Sequence, residues 1–282
     1  MVAAIAAVAR TKVLLKYFQV DAFTSELFKG NPAGVCVLEG NDWLPAAMMQ
    51  RIAFENNQPE TAFVLPQRKN FGLRWFAPGS EIDLCGHATL ASAFVLFTEF
   101  KYAGERIPFE SKSGALSVSR KGAILELDFP SRPPRPIEAP RELIEGLGCS
   151  PKTILKARDW TAVFENEDEI RAIKPRFDIL AQLDKVIVTA RGTDIDFVSR
   201  FFAPGIGVNE DPVTGSAHCT LIPYWAERLG KMKLHARQLS ARGGELFCEL
   251  RGDRVGIGGH AVLDEVRKVG FELGDGGAFG CA

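Results

Sequence analysis

The sequence predicts an α+β fold of two pseudo-symmetric barrel-like domains, each a mostly antiparallel sheet wrapped around a central buried helix. Three observations lead to this prediction. Sequence features recur in the two halves of the chain at an offset of roughly 125 to 130 residues. A proline-rich segment separates the halves. Each half also contains one segment that is apolar nearly all round, set among alternating strand patterns.

The internal repeat is clearest in two short stretches, "RWFAPG" from residue 74 and "RFFAPG" from residue 200. Farther along the chain, "GHA" at 86–88 corresponds to "GSA" at 215–217. Both copies lead directly into an apolar run. A repeat that includes the same motif, the same small-residue turn and the same apolar run indicates a duplicated domain.

Each half then continues with a predicted β-hairpin. The stretches 113–127 and 243–257 alternate apolar and polar residues around a basic-glycine turn, at 121–122 and 251–252 respectively. This alternation is typical of strands with one buried and one solvated face. The hairpins therefore extend the duplication and supply antiparallel strands to each half.

The segment between the halves, "FPSRPPRPIEAP" at 129–140, contains five prolines in twelve residues. Proline stiffens the chain and cannot donate to a strand ladder, so this segment is typical of a linker. We expect a first half at 13–130, a linker at 131–140 and a second half at 141–272. The final strand could cross back to the first half.

The central helices are predicted at 87–97 and 217–225, where almost no polar residue interrupts the apolar run. A helix without a polar face is buried on every side. Strands wrapped around two such helices would allow the two helix N-termini to face one another across a cleft. Pro223 should kink or disturb the second helix, because it lacks an N–H group.

Composition restricts the class of protein. The 282 residues are 46% hydrophobic and 24% charged, as in soluble globular proteins, and the net charge is -1. No basic stripe or polybasic surface would attract nucleic acid or anionic lipid. We therefore expect a small anionic metabolite as the partner, and neither nucleic acid nor a membrane.

The cysteines and the start of the chain predict a cytoplasmic protein. Six cysteines form no CxxC pair, and several lie inside apolar runs, as buried reduced thiols do. The start has an apolar stretch of only about nine residues, placed ahead of its basic residues. This pattern predicts neither a secretory signal nor a spanning helix.

The small-residue turns at the two helix starts indicate anion binding. A helix N-terminus offers unpaired N–H groups and a partial positive charge, and glycine allows a ligand to approach the backbone closely. Turn geometry explains the glycines equally well, and helix capping explains the serine hydroxyl equally well. The candidate substrate-binding residues are Gly86, Ala88, Thr214, Gly215 and Ser216.

Three titratable residues near these turns are candidate catalytic groups. Glu60 begins an apolar strand, where a half-buried carboxylate would have a raised pKa suited to proton transfer near neutral pH. His87 titrates near neutrality and could bind a carboxylate or move a proton. Asp211, at the second helix start, could orient a histidine or act as the second group that exchanges a proton with the substrate. Taken alone, each could also be a turn or cap residue.

No metal or cofactor is expected. The four histidines are not gathered at metal-ligand spacing. His218 lies inside the second predicted helix, where a packed role is an equal alternative, and His235 and His260 lie among strand and turn residues. Neither "GIGG" at 256 nor "GIGV" at 205 opens the strand-turn-helix unit of a dinucleotide site.

Together these motifs resemble those of the phenazine-biosynthesis PhzF-like isomerases, over about residues 17 to 272. The resemblance implies a diaminopimelate epimerase-like fold, a site between two similar domains, catalysis without a cofactor, and a homodimer. The stretches that carry it are "YFQVDAF", "GNPAGVCVL", "ETAFVLP", "RWFAPGSEIDLCGHATLASA", "RFFAPGIGVNEDPVTGSAHC" and "SARGGEL".

The resemblance also implies roles for individual residues. Glu60 of "ETAF" corresponds to the acid/base that moves a proton along a cyclohexadienyl amino acid, and His87, Asp211 and the turn at 215–216 belong to the site. Three features depart from the family pattern. Pro59 stands where many relatives have serine, the first dozen residues exceed the usual start, and the tail "GDGGAFGCA" has no counterpart.

Two other functions fit the same fold. In a two-base epimerase, a thiol at each helix start would exchange protons on opposite faces of a substrate carbon. Cys85 suits the first position, but superposing the halves places Thr214 opposite it, and Cys219 falls inside the helix. A non-catalytic binding protein is the second alternative, and convergence of Glu60, His87 and Asp211 would speak against it.

Overall fold

The computed structural model describes residues 11–273. The strands of the first half come before the predicted linker at 131–140. These are β1 (Thr11–Ala22), β2 (Asn31–Val37), β3 (Glu60–Pro66), β4 (Phe71–Phe76), β5 (Glu81–Ile82), β6 (Arg106–Ser111), β7 (Gly114–Lys121) and β8 (Ile124–Pro130). The remaining strands are β9 (Arg135–Pro136), β10 (Thr153–Lys156), β11 (Trp160–Val163), β12 (Val186–Arg191), β13 (Phe197–Phe202), β14 (Lys233–Gln238), β15 (Gly244–Arg251), β16 (Arg254–Gly259) and β17 (Ala261–Leu273).

Helices connect the strands at corresponding places in the two halves. The α-helices are α1 (Ala46–Asn56), α2 (Gly86–Thr98), α3 (Arg141–Leu147), α4 (Glu167–Ala172), α5 (Phe177–Leu180) and α6 (Gly215–Leu229). A short 3-10 turn spans Pro204–Ile206. The fold is therefore α+β and mostly sheet.

Strand pairing repeats between the halves. In the first half, β2 and β3 are parallel, β3 and β4 antiparallel, and β4 and β6 parallel, followed by the antiparallel series β6, β7 and β8. The second half has the same order from β11 to β16. The two predicted hairpins, β7–β8 and β15–β16, are both present. Each has a glycine with positive φ in its turn, at Gly122 and Gly252.

Two pairings connect the halves into one hydrogen-bonded sheet. The second strand of the hairpin in the first half, β8, pairs antiparallel with the second strand of the hairpin in the second half, β16. The last strand, β17, pairs along its length with β1, so the end of the described chain joins the start. The boundaries 13–130 and 141–272 for separate barrel-like domains stay a prediction.

The helices α2 and α6 lie in the interior, as their apolar sequences predict. Most of their residues are buried, and the largest apolar cluster includes residues from both helices. Strands β1, β2, β3, β7 and β8 pack on α2, whereas β14, β15 and β16 pack on α6. The helices are longer than predicted. α2 extends one residue farther at each end, and α6 begins two residues earlier and ends four residues later.

Pro223 does not end α6, which continues through it to Leu229. Proline cannot donate to the carbonyl four residues earlier, which is that of Cys219. The backbone N–H of Arg132, in the predicted linker, donates to this carbonyl at 2.8 Å. The linker therefore supplies the hydrogen bond that the proline removes, and the helix remains continuous.

The sequence predicts that the chain has no membrane-spanning helix and that its cysteines are buried, reduced thiols. Within residues 11–273, no helix is long and apolar enough to cross a membrane. Cys36, Cys85, Cys219 and Cys248 are buried free thiols, and Cys149 is a partly buried one. Cys281, the first ten residues and the glycine-rich tail lie outside the described residues.

Candidate active site

The N-termini of α2 and α6 face each other at close range. A β-carbon built on Gly86 would lie 3.6 Å from the Cα of Gly215, and one built on Gly215 would lie 3.7 Å from the Cα of Gly86. Within residues 11–273, neither N-cap residue, Cys85 or Thr214, uses its side chain to cap its helix. The positive ends of two helix dipoles are thus directed at one another, which favours an anion between them.

The repeated "RWFAPG" and "RFFAPG" motifs hold the loops that lead to these helix starts. The guanidinium of Arg74 makes two hydrogen bonds to Glu81, at 2.7 and 2.8 Å, and that of Arg200 makes two to Glu210, at 2.8 and 3.0 Å. Each guanidinium also stacks on the phenylalanine two residues later, at 5.2 and 4.9 Å from the ring centre. The motif therefore recurs because both loops are anchored in the same way.

Glu60 and His87 form a pair at the start of α2. Strand β3 begins at Glu60 and runs parallel to β2, with Glu60 opposite Ala33. The Nε2 atom of His87 lies 3.0 Å from a carboxylate oxygen of Glu60, and the two side chains are 6% and 19% exposed. A pair that is mostly buried, but whose carboxylate keeps some exposure, can exchange a proton with a bound molecule.

Asn31 connects this pair to the second half of the molecule, and it was missed in the sequence analysis. Its amide nitrogen lies 3.2 Å from His87 Nδ1, 2.8 Å from a carboxylate oxygen of Asp211 and 2.8 Å from the carbonyl of Val213. The side chain is fully buried. A signal was present in the sequence, since a polar residue between Gly30 and Pro32 precedes an apolar strand.

Asp211 lies at the start of α6. The hydroxyl of Thr214 donates to its carboxylate at 2.5 Å, and Asn31 donates to the other oxygen. Loss of hydration raises the pKa of Asp211 to about 6, although the nearby imidazole of His87 opposes the shift. The carboxyl group therefore changes its protonation close to neutral pH.

Gln238, also missed in the sequence analysis, fixes the backbone around Asp211. Its side-chain oxygen accepts from the N–H of Thr214 at 2.9 Å, and its amide nitrogen donates to the carbonyl of Asp211 at 2.7 Å. Gln238 is fully buried at the end of β14. No sequence pattern identified it, because its partners are distant in the chain.

Cys85 and His87 influence each other's protonation. Burial raises the pKa of the Cys85 thiol to about 11, and the carboxylate of Glu60 adds to the shift. Burial lowers the pKa of His87, but the neighbouring Cys85 and Glu60 outweigh it, and the net shift is upward. The sulfur lies 3.5 Å from His87 Nδ1. At neutral pH the thiol is protonated, so it is a poor base.

Ser216 faces solvent at the second helix start. It is partly buried, and its hydroxyl oxygen accepts from Arg158 at 3.1 Å. Arg158, which the sequence analysis missed, also makes two hydrogen bonds to the buried Asp159. This places a guanidinium beside the N–H groups of α6. Ala88, in the first turn of α2, is fully buried.

The remaining histidines lie apart from the pair. His218 is fully buried in α6, where its Nδ1 donates to the carbonyl of Thr214 at 2.9 Å. Burial lowers the pKa of His218 to about 4, so it is neutral. His235 stacks on Phe247 at 4.7 Å, and His260 donates to the carbonyl of Ala123. None of these three contacts Glu60 or Asp211 among the hydrogen bonds and ion pairs of the described residues.

One group of side chains has the composition of a metal site. Donor atoms of Glu60, Cys85 and His87 all lie within 4.8 Å of one another. A structural zinc site needs a fourth protein ligand, whereas a catalytic zinc site has three protein ligands and a water. The 3.0 Å contact of Glu60 with His87 also gives this group the geometry for proton transfer.

Comparison with known proteins identifies the family. The sequence profile described as Phenazine biosynthesis-like protein matches residues 20–266. An uncharacterized isomerase of Pseudomonas aeruginosa is 54% identical over 252 residues, which cover 88% of this chain and 96% of the relative. The chain belongs to the phenazine biosynthesis-like family. This confirms the resemblance found in the sequence.

Solved structures agree with this family membership. A phenazine biosynthesis protein of the PhzF family from Enterococcus faecalis matches with a TM-score of 0.88 at 48% identity, covering 91% of this chain and 99% of that one. A hydroxyproline epimerase from Agrobacterium vitis, with a TM-score of 0.63 at 11% identity, shares the fold alone and covers 97% of both chains. The isomerase name of the bacterial relative is consistent with the enzyme class predicted from the sequence.

Proposed function

We propose that this member of the phenazine biosynthesis-like family is a cofactor-independent isomerase that moves a proton on a small carboxylate-bearing metabolite. Its site would lie in the cleft between two pseudo-symmetric barrel-like domains. The observation that supports this most strongly is the contact of Glu60 with His87 beside two facing helix N-termini. A possible substrate is a cyclic amino acid with a conjugated double bond.

The substrate carboxylate would bind between the helix starts. The N–H groups of Gly86, Ala88, Gly215 and Ser216, which belong to the first turns of the two helices, would be the backbone donors to this carboxylate. The hydroxyl of Ser216, beside Arg158, would add a polar contact. This arrangement supports an anionic partner whose charge is neutralised by backbone dipoles.

In the reaction, the Glu60 carboxylate would remove a proton from a carbon of the bound substrate, and the electron pair would shift into the adjacent double bond. Glu60, or Asp211 at the second position, would then deliver a proton that has exchanged with solvent to a second carbon, so that the substrate keeps its composition and no net oxidation occurs. His87, 3.0 Å from Glu60, would stabilise the Glu60 carboxylate before it takes the proton and after it has delivered it. Asp211 would serve the second proton position, because its pKa of about 6 lies near the working pH.

The two-base cysteine mechanism is less well supported. Cys85 has a buried thiol with a raised pKa, Thr214 is its counterpart, and Cys219 is buried inside α6. A purely non-catalytic binding role is also less well supported. Glu60, His87 and Asp211 converge through Asn31, which a binding protein would not require.

The experiment is proton exchange in heavy water. The protein would be incubated with cyclic and α-amino carboxylates, and NMR would detect deuterium at individual carbons. We expect incorporation at two carbons of one compound, together with formation of its isomer. Binding of carboxylates without exchange at any carbon would instead favour the non-catalytic role.

A further inference from the structure

Asn31 is held rigidly at the seam between the halves. Its backbone ends the β1–β2 pairing opposite Ala22. Gly30 has a φ of +62°, and a β-carbon there would lie 2.2 Å from the carbonyl oxygen of Ala22, so only glycine fits. The N–H of Gly30 donates to the carbonyl of Gly243 in the second half at 2.8 Å. The backbone of Asn31 is therefore fixed by both halves.

The orientation of the Asn31 amide follows from its neighbours. The atom near Asp211 and Val213 lies 2.8 Å from a carboxylate oxygen and 2.8 Å from a carbonyl oxygen, both of which can only accept. An amide oxygen in that position would be repelled by both. The NH2 group must therefore point there, and the amide cannot be flipped.

This orientation has a consequence for His87. Its Nδ1 atom lies 3.2 Å from the same NH2 group, so a hydrogen on Nδ1 would face a donor. The Nδ1 atom is therefore the unprotonated nitrogen of the neutral ring, and Nε2 carries the hydrogen. The carboxylate oxygen of Glu60 lies 3.0 Å from Nε2, on the side of the ring that carries this hydrogen.

We propose that Asn31 is a positioning residue that selects the Nε2-protonated tautomer of His87 and aligns it with Asp211 across the seam. The inference rests on the proposed function for its catalytic meaning, but the tautomer itself is a property of the free protein. With the hydrogen on Nε2, the ring faces the carboxylate of Glu60 that would accept the substrate proton. Asn31 thereby couples the two candidate proton-transfer positions, which come from different halves of the chain.

The other groups around His87 act on the ring differently from Asn31. The Cys85 sulfur lies 3.5 Å from Nδ1 and 3.9 Å from Nε2, and its protonated thiol favours neither nitrogen strongly. The Glu60 carboxylate, 3.0 Å from Nε2, can only accept, so it favours a hydrogen on Nε2 in the neutral and in the fully protonated ring alike. Asp211 accepts a hydrogen bond from Asn31, which in turn lies against the ring of His87. Asn31 is thus the group that penalises a hydrogen on Nδ1.

The test is 15N NMR of histidine-labelled protein, with the His87 signals identified by their loss in His87→Gln. In the wild type, we expect a protonated Nε2 and a pyridine-like Nδ1 once the ring is neutral. An Nδ1-protonated ring in the wild type would overturn the proposal, whether or not a substrate is known. Failure of the proposed function would leave this spectrum unchanged, so the two outcomes are distinguishable.

Two variants separate positioning from folding. Asn31→Ala removes the donor that disfavours a hydrogen on Nδ1, so we expect the fully protonated ring to persist to a higher pH than in the wild type. Asn31→Asp is isosteric and offers an acceptor to Nδ1–H, so it should favour the fully protonated ring to a higher pH. Asn70→Ala is the matched control, because Asn70 donates to the surface residue Glu110. An unchanged titration of the His87 15N signals in a folded Asn31→Ala protein would contradict the proposal.

Kinetics provide a second readout once a substrate is known. Misalignment of the His87–Glu60 pair should lower kcat by about 10- to 100-fold in Asn31→Ala, with little change in KM. The pH dependence of kcat should also shift, because both His87 and Asp211 lose a hydrogen-bond donor. A change in KM alone would assign Asn31 to substrate binding instead.

Discussion

Asp211 shows how single residues set the chemistry of this site. Its carboxylate receives hydrogen bonds from Asn31 and Thr214, which favour the ionised form, yet loss of hydration dominates and raises the pKa to about 6. The group is therefore poised between its two protonation states near neutral pH. The same shift lowers the stability of the folded protein when Asp211 is ionised.

The pH dependence of stability tests this account of Asp211. The folded pKa is raised above the unfolded value, so the favourable contribution is complete below about pH 4 and is lost as the pH rises through about 6. Asp211→Asn mimics the protonated form at every pH. Relative to the wild type, the variant should gain about 2 kcal/mol of unfolding free energy between about pH 4.5 and pH 7. Urea denaturation at several pH values measures this difference.

The matched control is Asp253→Asn, in the exposed turn between β15 and β16. Its stability should follow that of the wild type at each pH. If the Asp211→Asn curve also ran parallel to the wild type, the carboxyl group would titrate normally in the folded protein. Asp211 would then not be poised near neutrality.

At the scale of the elements, α6 depends on a hydrogen bond from outside the helix. Pro223 leaves the carbonyl of Cys219 without its helical partner, and the N–H of Arg132 replaces it at 2.8 Å. A buried carbonyl without a partner costs about 1 to 3 kcal/mol. The linker thus stabilises the helix whose N-terminus forms half of the candidate site.

A double-mutant cycle tests this contact. Arg132→Pro removes the N–H at a position that already precedes a proline and is therefore biased to extended backbone, whereas Arg132→Ala keeps the N–H. Arg132→Pro should cost about 1 to 3 kcal/mol more than Arg132→Ala, measured by chemical denaturation. In a Pro223→Ala background, the restored helical N–H should remove most of this excess.

An equal excess in both backgrounds would show that strain at residue 132, not the lost hydrogen bond, causes the destabilisation. This contact also explains an error of the sequence analysis. A proline inside an apolar run ordinarily predicts the end or a kink of a helix. Continuity of α6 depends on Arg132, which lies far from Pro223 in the sequence.

At the scale of the whole molecule, the two halves meet around the candidate site. Arg242 of the second half donates to the buried Asp21 at 2.6 Å and to the carbonyl of Gly30 at 2.9 Å in the first half. A ligand between the starts of α2 and α6 would contact both halves. Binding should therefore stabilise the molecule as a unit.

The unfolding temperature should rise with the concentration of a bound dicarboxylate, sulfate or phosphate. An anion present at 100 times its Kd contributes about 2.7 kcal/mol. Ser216→Leu should abolish this stabilisation by filling the space at the start of α6, while α6 itself remains folded. Thermal denaturation at increasing anion concentration measures the effect.

Ser150→Leu, at an exposed position away from both helix starts, is the control and should respond to anions like the wild type. An equal response in Ser216→Leu would place the anion elsewhere. Loss of the response in both variants would indicate a general effect of added leucine.

Sequence reasoning proposed those residues of the candidate site that carry their own local signals. Glu60, His87 and Asp211 each stand at a boundary between a polar turn and an apolar run, and the internal repeat placed two helix starts together. Asn31 and Gln238 were missed because their roles depend on partners brought near by strand pairing. The fold class could be predicted from the alternating apolar and polar residues of the strands and from the internal repeat. The pairing of β17 with β1, which closes the sheet, joins residues far apart in the sequence and could not.

The central claim is that Glu60 transfers the proton, and deuterium incorporation tests it most directly. The carboxylate compound that the wild type labels in heavy water would be incubated with Glu60→Gln and with Glu55→Gln, an exposed control on α1. We predict that labelling by Glu60→Gln is slower by about 10² to 10⁴, because glutamine keeps the size but cannot hold the proton. Glu55→Gln should label at the wild-type rate. Labelling by Glu60→Gln at the wild-type rate would contradict the account.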